Sequence, residues 1–362
     1  MSETAKPSPS QPCVPVPEIV EFITRALVSV GIAPTDASHV AVLMAESDAR
    51  GGDAHGVFRL PQYIRRIKAG GVNPKASITV EKTAPATAMV DGDNGMGHLV
   101  MQRAADTAIA LAKENGVAWV GARRSNHAGA AGTYAAMALP HDMIGLYSAV
   151  ANANHMPAWG AAESLLSTNP IAIAVPAGEE PPVVLDIATT VVSYGTVKAY
   201  KLQGKPMPEG WMVGAKDGKP ITDSARSGEG LLMPIGGHKG SGLALVLGLL
   251  AGTLNGAAFG REVVDFNADD ESACNTGHFI IALDVVRYLP VAAFKAQIDR
   301  QLRELKSSPV LPGFDEIRLP GEQRRIRRAE RVAQGVPVFP EVIEQLDKLA
   351  ADLKIKPLRE RA

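Results

Sequence analysis

The apolar positions of this chain fall into three stretches with different periods. "PEIVEFITRALVSVG" spaces them as a helix does, entered at Pro17 and stopped at Gly31. "TDASHVAVLMAESDARGG" predicts a second helix, with Thr35 as its N-cap. "FRLPQYIRRIKAGGVNP" predicts a shorter amphipathic helix that ends in glycines and Asn73-Pro74. The chain up to that point is therefore largely helical.

The middle then alternates. "ASITVEKTAPATAMVDGDNG" reads as two short strands, "GHLVMQRAADTAIALAKENG" as a helix closed by Gly116, and "VAWVGARRSN" as a strand running into a polar loop. "GAAGTYAAMALPHD" predicts a helix, and "MIGLYSAVAN", "PIAIAVPAG", "PPVVLDIAT" and the later "GHFIIALDV" predict strands. Such alternation of helices with apolar strands argues for an α/β protein with a largely buried sheet. "GLALVLGLLAGTLNGAAF" reads as a long, buried, apolar helix. From "AAFKAQIDRQLRELKSS" onward the pattern is helical and charged, through "EQRRIRRAERVAQG" to "PEVIEQLDKLAADLK". The basic run "RRIRRAER" is expected to be a solvated helix face. The Ser- and Pro-rich start reads as a disordered tail over residues 1–16.

Composition narrows the class. The 362 residues are 46% hydrophobic and 21% charged, ordinary values for a globular chain with a sizeable core. A net charge of −1 gives no attraction to nucleic acid or to an anionic membrane. The long apolar helix is too rich in small residues to read as a membrane span, and the N-terminus lacks the apolar core of a secretory signal. Cys13 and Cys274 form no redox or metal spacing, so a reducing compartment, the cytoplasm, is expected.

The eight histidines make neither HExxH nor HxxxH, so no metal site is expected. "GGHKGSG" matches neither a Rossmann fingerprint nor a P-loop. It does open an apolar helix with glycines and Lys239, so it is either a cradle for phosphate or a turn that allows close packing. In "SNHAGAAGTYAAMA", His127 is either a helix cap or an acid/base group. His55, Arg59 and Tyr63 fall at i, i+4 and i+8, one face of a helix. They could hold a small carboxylate, Arg59 through its bidentate fork, or form a solvated helix edge. Thr168, Asn169 and Pro170 satisfy turn chemistry, and Asp186 could cap a helix or accept from a sugar hydroxyl.

Taken in order, "DAHGVFRLPQY", "RSNHAGAAGTYA", "STNPIAIAVP", "LDIATTVVSYGTV", "GGHKGSGLAL" and "IRLPGE" resemble the malate/L-lactate dehydrogenase family. That family also holds ureidoglycolate and sulfolactate dehydrogenases and Δ1-piperideine-2-carboxylate reductases. The resemblance spans residues 17 to 340. It implies a non-Rossmann mixed sheet flanked by helices, with the N- and C-terminal helical segments packed together. Residues 17–78 with 292–362 would form a helical substrate and dimer region, and 79–291 the cofactor-binding core. It further implies a homodimer that uses NADP or NAD on a small carboxylate substrate. His127 and His55 would be catalytic, and Arg59 and Tyr63 would bind substrate. Gly237, His238, Lys239, Gly240, Asp186, Thr168, Asn169 and Pro170 would bind the cofactor, with Arg123 and Arg124 as candidates for a 2′-phosphate.

Two positions depart from the family's pattern. Ala54 stands where serine is common, and His238 where tyrosine is frequent, the latter resembling the cyclic-imine reductases. The sequence thus leads to 2-hydroxy acid oxidation. Reduction of a cyclic imine carboxylate is the second reading, and a non-catalytic ligand-binding homodimer is the reading from another class.

Overall fold

Alternating apolar strands and alanine-rich helices build one seven-stranded sheet in the computed structural model, which describes residues 12–359. The chain enters through β1 (Cys13–Val14), α1 (Val16–Ser29), α2 (Pro34–Ala49) and α3 (Leu60–Ala69). Each of these helices has proline in its first turn, where the missing N–H costs nothing. For α2 this displaces the expected cap: Pro34 starts the helix after Ala33, and Thr35 lies inside it.

The sheet follows from β2 (Thr79–Ala84), β3 (Thr87–Asp91), α4 (Gly97–Asn115), β4 (Val117–Ser125), α5 (Ala131–Ala136) and β5 (Met143–Ala149). A small hairpin, β6 (Asn154–Pro157) and β7 (Ser164–Ser167), precedes β8 (Ile171–Val175) and β9 (Val183–Ile187). An excursion carries α6 (Tyr194–Leu202), β10 (Met212–Gly214) and β11 (Gly230–Leu232). Then come α7 (His238–Ala251), β12 (Thr276–Asp284), α8 (Val291–Lys306), α9 (Glu322–Gln334), β13 (Val336–Pro337) and α10 (Pro340–Leu353).

The strand order is β2-β3-β4-β12-β5-β8-β9, with β3 and β4 parallel and the other pairs antiparallel. Strand β12 lies in the middle, Ile280 opposite Val120 on one side and Tyr147 on the other. Both sheet faces are covered, which explains why the central strands read as nearly continuous apolar runs. Helices α4 and α5 cover one face, over Val120, Ile280 and Ala172. Helix α7 covers the other, packing Leu247 and Ala251 near Phe279. It comes so close that a Cβ on Gly277 would lie 2.1 Å from the Ala251 carbonyl oxygen.

A second core joins the two ends of the chain. Phe22, Ile23 and Leu27 of α1, Met44 of α2, Ile64 of α3 and Leu346 of α10 are all buried in it. Strand β1 pairs with β13, Val14 opposite Val336, and Val14 is fully buried. The expected disordered tail is thus ordered from Cys13 onward, because Val14 completes this core; residues 1–11 lie outside the described residues. Helix α8 packs elsewhere. Its Asp299 accepts the backbone N–H groups of Gly178, Glu179 and Glu180 after β8, and Arg303 reaches Glu179 and Glu180.

The long apolar helix is shorter than its sequence pattern, ending where Gly252 breaks it. It is not wholly buried: Leu245, Val246 and Leu249 are exposed on the single chain. No helix among the described residues is long and apolar enough to cross a membrane.

Candidate active site

The site begins at the end of α2. The buried Asp48 carboxylate accepts the Val57 backbone N–H at 2.8 Å, and burial raises its pKa well above the usual carboxylate range. Gly56 lies directly over that carboxylate; a Cβ there would be 1.8 Å from Asp48 Oδ1. The segment therefore folds as two consecutive 3-10 turns, Asp53–His55 and Val57–Arg59, before α3 starts at Leu60. His55, Arg59 and Tyr63 do not share one helix face as their spacing suggests. Two tight turns and a following helix bring them together.

Nor is this a solvated edge. Arg59 is 8% exposed. Its guanidinium donates to the Ala54 carbonyl (2.9 Å), Gln62 Oε1 (2.8 Å) and Asn267 Oδ1 (3.4 Å), and lies 5.3 Å from the Phe266 ring centroid. All three acceptors are neutral, so among the described residues the guanidinium's charge is solvated by dipoles and pairs with no carboxylate. Such a group is primed for an anionic ligand.

His127 arrives from the end of β4. The Asn126 side chain pins the turn by donating to Asn94 and to the Gly95 carbonyl. The imidazole is then sandwiched, 5.4 Å from His55 and 5.0 Å from Phe266, near parallel to both. Its Nδ1 sits 2.5 Å from the Tyr63 hydroxyl and 3.3 Å from the Gly129 nitrogen. It caps nothing: α5 begins only at Ala131, after Ala130, with no side-chain cap. Burial first, then His55 and Arg59, hold its pKa well below the usual histidine value. Burial also lowers His55 to about 3 and raises the Tyr63 phenol above its ordinary range. At neutral pH all three are uncharged in the free protein. Tyr63 is 2% exposed, its hydroxyl bonds His127, and it stands behind the imidazole, not among the residues that line the cavity.

These residues face a cavity of about 550 Å³. His55, Arg59, His127, Phe266, Asn267 and His155 form one wall; Thr168, Pro170, Asp186 and Arg324 form another. Below them, Tyr147 bonds His278 Nδ1 (2.9 Å) and His278 Nε2 bonds Ser125 Oγ (3.0 Å). Asp186 lies on β9, paired with Arg324 of α9 at 3.5 Å, and is no helix cap; Ser193 caps α6. Asn169 does not reach the cavity. It is fully buried, accepting the Ala151 N–H (3.2 Å) and donating to the Ala244 carbonyl (2.8 Å), which ties the wall to α7.

The glycine turn is also outside the wall. Gly237 (φ +65°) lies beneath the Trp159 ring, Gly240 is pressed against Ile235, and His238 and Lys239 are exposed at the start of α7. Arg123 and Arg124 likewise do not line the cavity; they pair with Asp91 and Asp93.

Helix α9 departs from the expected solvated face. Arg328 pairs with Glu46, and Arg331 with Asp53 and the Asp48 carbonyl, clamping the turns that carry His55 and Arg59. Sequence reasoning also missed Phe266, Asn267, His155 and Arg324 in the wall. No local period marks them, because they come from a loop, a short hairpin strand and a helix distant in sequence. Among the described residues no group of three or more His, Cys, Asp or Glu is placed to hold a metal.

Comparison with known proteins finds matches over most of the chain. The family described as malate/L-lactate dehydrogenase matches residues 14–347. A malate dehydrogenase of Pyrococcus horikoshii is 35% identical over 353 residues, 95% of this chain and 96% of its own length. A ureidoglycolate dehydrogenase (NAD(+)) of Escherichia coli K12 is 30% identical over 326 residues, 90% of this chain and 92% of its own. The solved Δ1-piperideine-2-carboxylate reductase of Pseudomonas syringae is similar with a TM-score of 0.81 at 29% identity, covering 94% of this chain and all of that one.

Proposed function

The chain belongs to the malate/L-lactate dehydrogenase family, and we propose that it interconverts a small 2-hydroxy acid and its 2-oxo acid with NADP or NAD, His127 moving the proton. The observation that carries this reading is His127, held by Tyr63 and stacked on Phe266, whose ring the Arg59 guanidinium also approaches without making an ion pair among the described residues.

A nicotinamide dinucleotide fits the chemistry of the second wall. Asp186 offers carboxylate oxygens to ribose hydroxyls, and Arg324 beside it offers a cation. Outside that wall, the turn at Gly237 and Gly240, with His238, Lys239 and the start of the fourteen-residue α7, offers backbone N–H groups and an ammonium to phosphate. Thr168 and Pro170 shape the cleft between, with Asn169 holding it to α7. When bound, the cofactor supplies or accepts the hydride at the substrate's C2.

Arg59 holds the substrate carboxylate, and its fork fixes the C1–C2 axis. His55, neutral, orients the oxygen on C2. Nδ1 of His127 is engaged by Tyr63 and Gly129, which leaves Nε2 for that same oxygen. For oxidation the neutral ring carries its proton on Nδ1, donating to the Tyr63 oxygen with the long Gly129 contact given up, so that Nε2 takes the hydroxyl proton as the hydride leaves C2. During reduction Nε2 returns the proton to the developing alkoxide. A phenol that both donates and accepts lets Tyr63 serve either tautomer.

The exposed apolar face of α7, Leu245, Val246 and Leu249, supports a homodimer in which a second copy covers it. A cytoplasmic setting accords with two unpaired cysteines, Cys13 and Cys274. His238, where tyrosine is frequent, supports the second reading, reduction of a cyclic imine carboxylate; Ala54, which lines the cavity without a hydroxyl, supports the non-catalytic one.

The test follows NADH and NADPH oxidation at 340 nm (an assay wavelength, about the nicotinamide band) against a panel of 2-oxo acids and cyclic imine carboxylates. Turnover of 2-oxo acids is expected, and His127→Gln should cut kcat by about 10²–10⁴. Turnover confined to imines would replace the reading with the second one. Cofactor binding without any turnover would leave a ligand-binding dimer.

A further inference from the structure

A second cation stands behind Asn267, next to the residues that line the cavity but not itself among them. Lys198, on α6, donates from Nζ to Asn267 Oδ1 at 2.7 Å, the same oxygen that Arg59 reaches at 3.4 Å. The amide is held in that orientation from behind: Asp265 Oδ1 accepts both the Asn267 backbone N–H (2.9 Å) and its Nδ2 (2.8 Å). One carbonyl oxygen therefore stands between a buried guanidinium and a half-buried ammonium. Among the described residues neither cation makes an ion pair within 4.0 Å. Asp265 is exposed to solvent and spends its oxygen on Asn267; Arg65 nearby is paired with Asp270. Beside Lys198, Tyr194 lies 5.4 Å from Nζ and stacks on His155, whose pKa burial lowers to about 4, so it is neutral at pH 7.

We propose that Lys198 receives a second anionic group of the substrate, making the enzyme selective for dianionic 2-hydroxy and 2-oxo acids over monoanionic ones. The inference rests on the 2-hydroxy acid reading above and adds a specificity residue to it. The two nitrogens are no farther apart than their two bonds to Oδ1 laid end to end, a span that suits carboxylates at the two ends of a four-carbon acid. Asn267 is a neutral stand-in for both: its bond to Arg59 is long and easily given up, and the flexible lysine stem can turn Nζ toward the cavity. A cyclic imine carboxylate carries one negative charge and would leave Lys198 without its partner.

The experiment compares oxaloacetate with pyruvate as substrates for the wild type, Lys198→Met and Lys198→Arg. Wild type should prefer oxaloacetate. Lys198→Met should lower the ratio of kcat/KM for oxaloacetate to that for pyruvate by about 10- to 100-fold, mainly through KM, as expected for losing one charge-assisted contact. Lys198→Arg should restore most of the ratio. A ratio unchanged in Lys198→Met overturns the proposal and leaves the reaction intact. If the wild type reduces neither acid, the reaction reading fails separately. The subsite is then judged by thermal shift with tartronate against glycolate: stabilisation by tartronate that Lys198→Met abolishes supports it, and equal shifts in the two proteins overturn it.

Discussion

At the scale of single residues, the chemistry of His127 comes from what surrounds the ring. Stacking between His55 and Phe266 fixes its plane, and Tyr63 fixes its rotation. Tyr63→Phe keeps the ring packing and deletes that one bond. It should lower kcat by about 10- to 100-fold with little change in KM; a raised KM at normal kcat would return Tyr63 to the substrate. The pH dependence has a definite sign. Burial favours neutral His127, so reduction, which needs the imidazolium, should weaken as pH rises through the neutral range. Oxidation needs the neutral ring, and its acid limb should lie below pH 6.5, the ordinary histidine value. An acid limb for oxidation above pH 7 would contradict the assigned environment.

At the scale of elements, the site depends on how the Asp53–Arg59 turns are held. Asp48 anchors them from α2, Arg331 clamps them from α9, and Gly56 permits the contact by having no side chain. Its φ is negative (−96°), so Gly56→Ala tests chiefly the space beside Asp48. It should destabilise the protein by about 1–3 kcal/mol, the usual cost of overpacking. It should also raise KM for the 2-oxo acid, because Arg59 takes its position from these turns. Urea melts with kinetics on the same sample check both; wild-type KM would show that Arg59 is positioned independently of them.

At the scale of the whole molecule, the buried histidines make stability depend on pH. Burial lowers His55 and His278 to about 3 and His98 to about 4, and neither ring nitrogen of His98 has a hydrogen-bond partner. The unfolded chain protonates these histidines near 6.5 while the folded chain resists. Their contribution is complete above pH 6.5 and is lost as pH falls toward 3–4. Between pH 7 and pH 5 each should cost about 2 kcal/mol of unfolding free energy. Asp48 acts with the opposite sign, since its raised pKa favours the folded state on acidification. Urea unfolding at the two pH values measures the balance, and His98→Phe should remove one histidine's share. A stability independent of pH over this interval would mean that the rings are solvated.

Much of this protein was legible from its linear pattern, and the missing part has a common cause. Helix α4, its Gly116 stop, and strands β4, β5, β8, β9 and β12 follow from local period and turn chemistry, because those signals act within a few residues. His127, Arg59 and His55 stood out as candidates because they sit in short motifs, and the structure brings them to one cavity. The sequence did not show that the Tyr63 hydroxyl meets the His127 imidazole, that Arg324, Arg328 and Arg331 of α9 pair with Asp186, Glu46 and Asp53, or that Val14 is buried against Val336. Nor did it show that Phe266 and Asn267 complete the wall. Each of these is a contact across long sequence separation, and no periodicity encodes which distant side chain will meet a given ring or guanidinium. Local rules determined the elements and the candidate groups. Only the packing of both chain ends around one cavity decided the charge, the partners and the orientation those groups have.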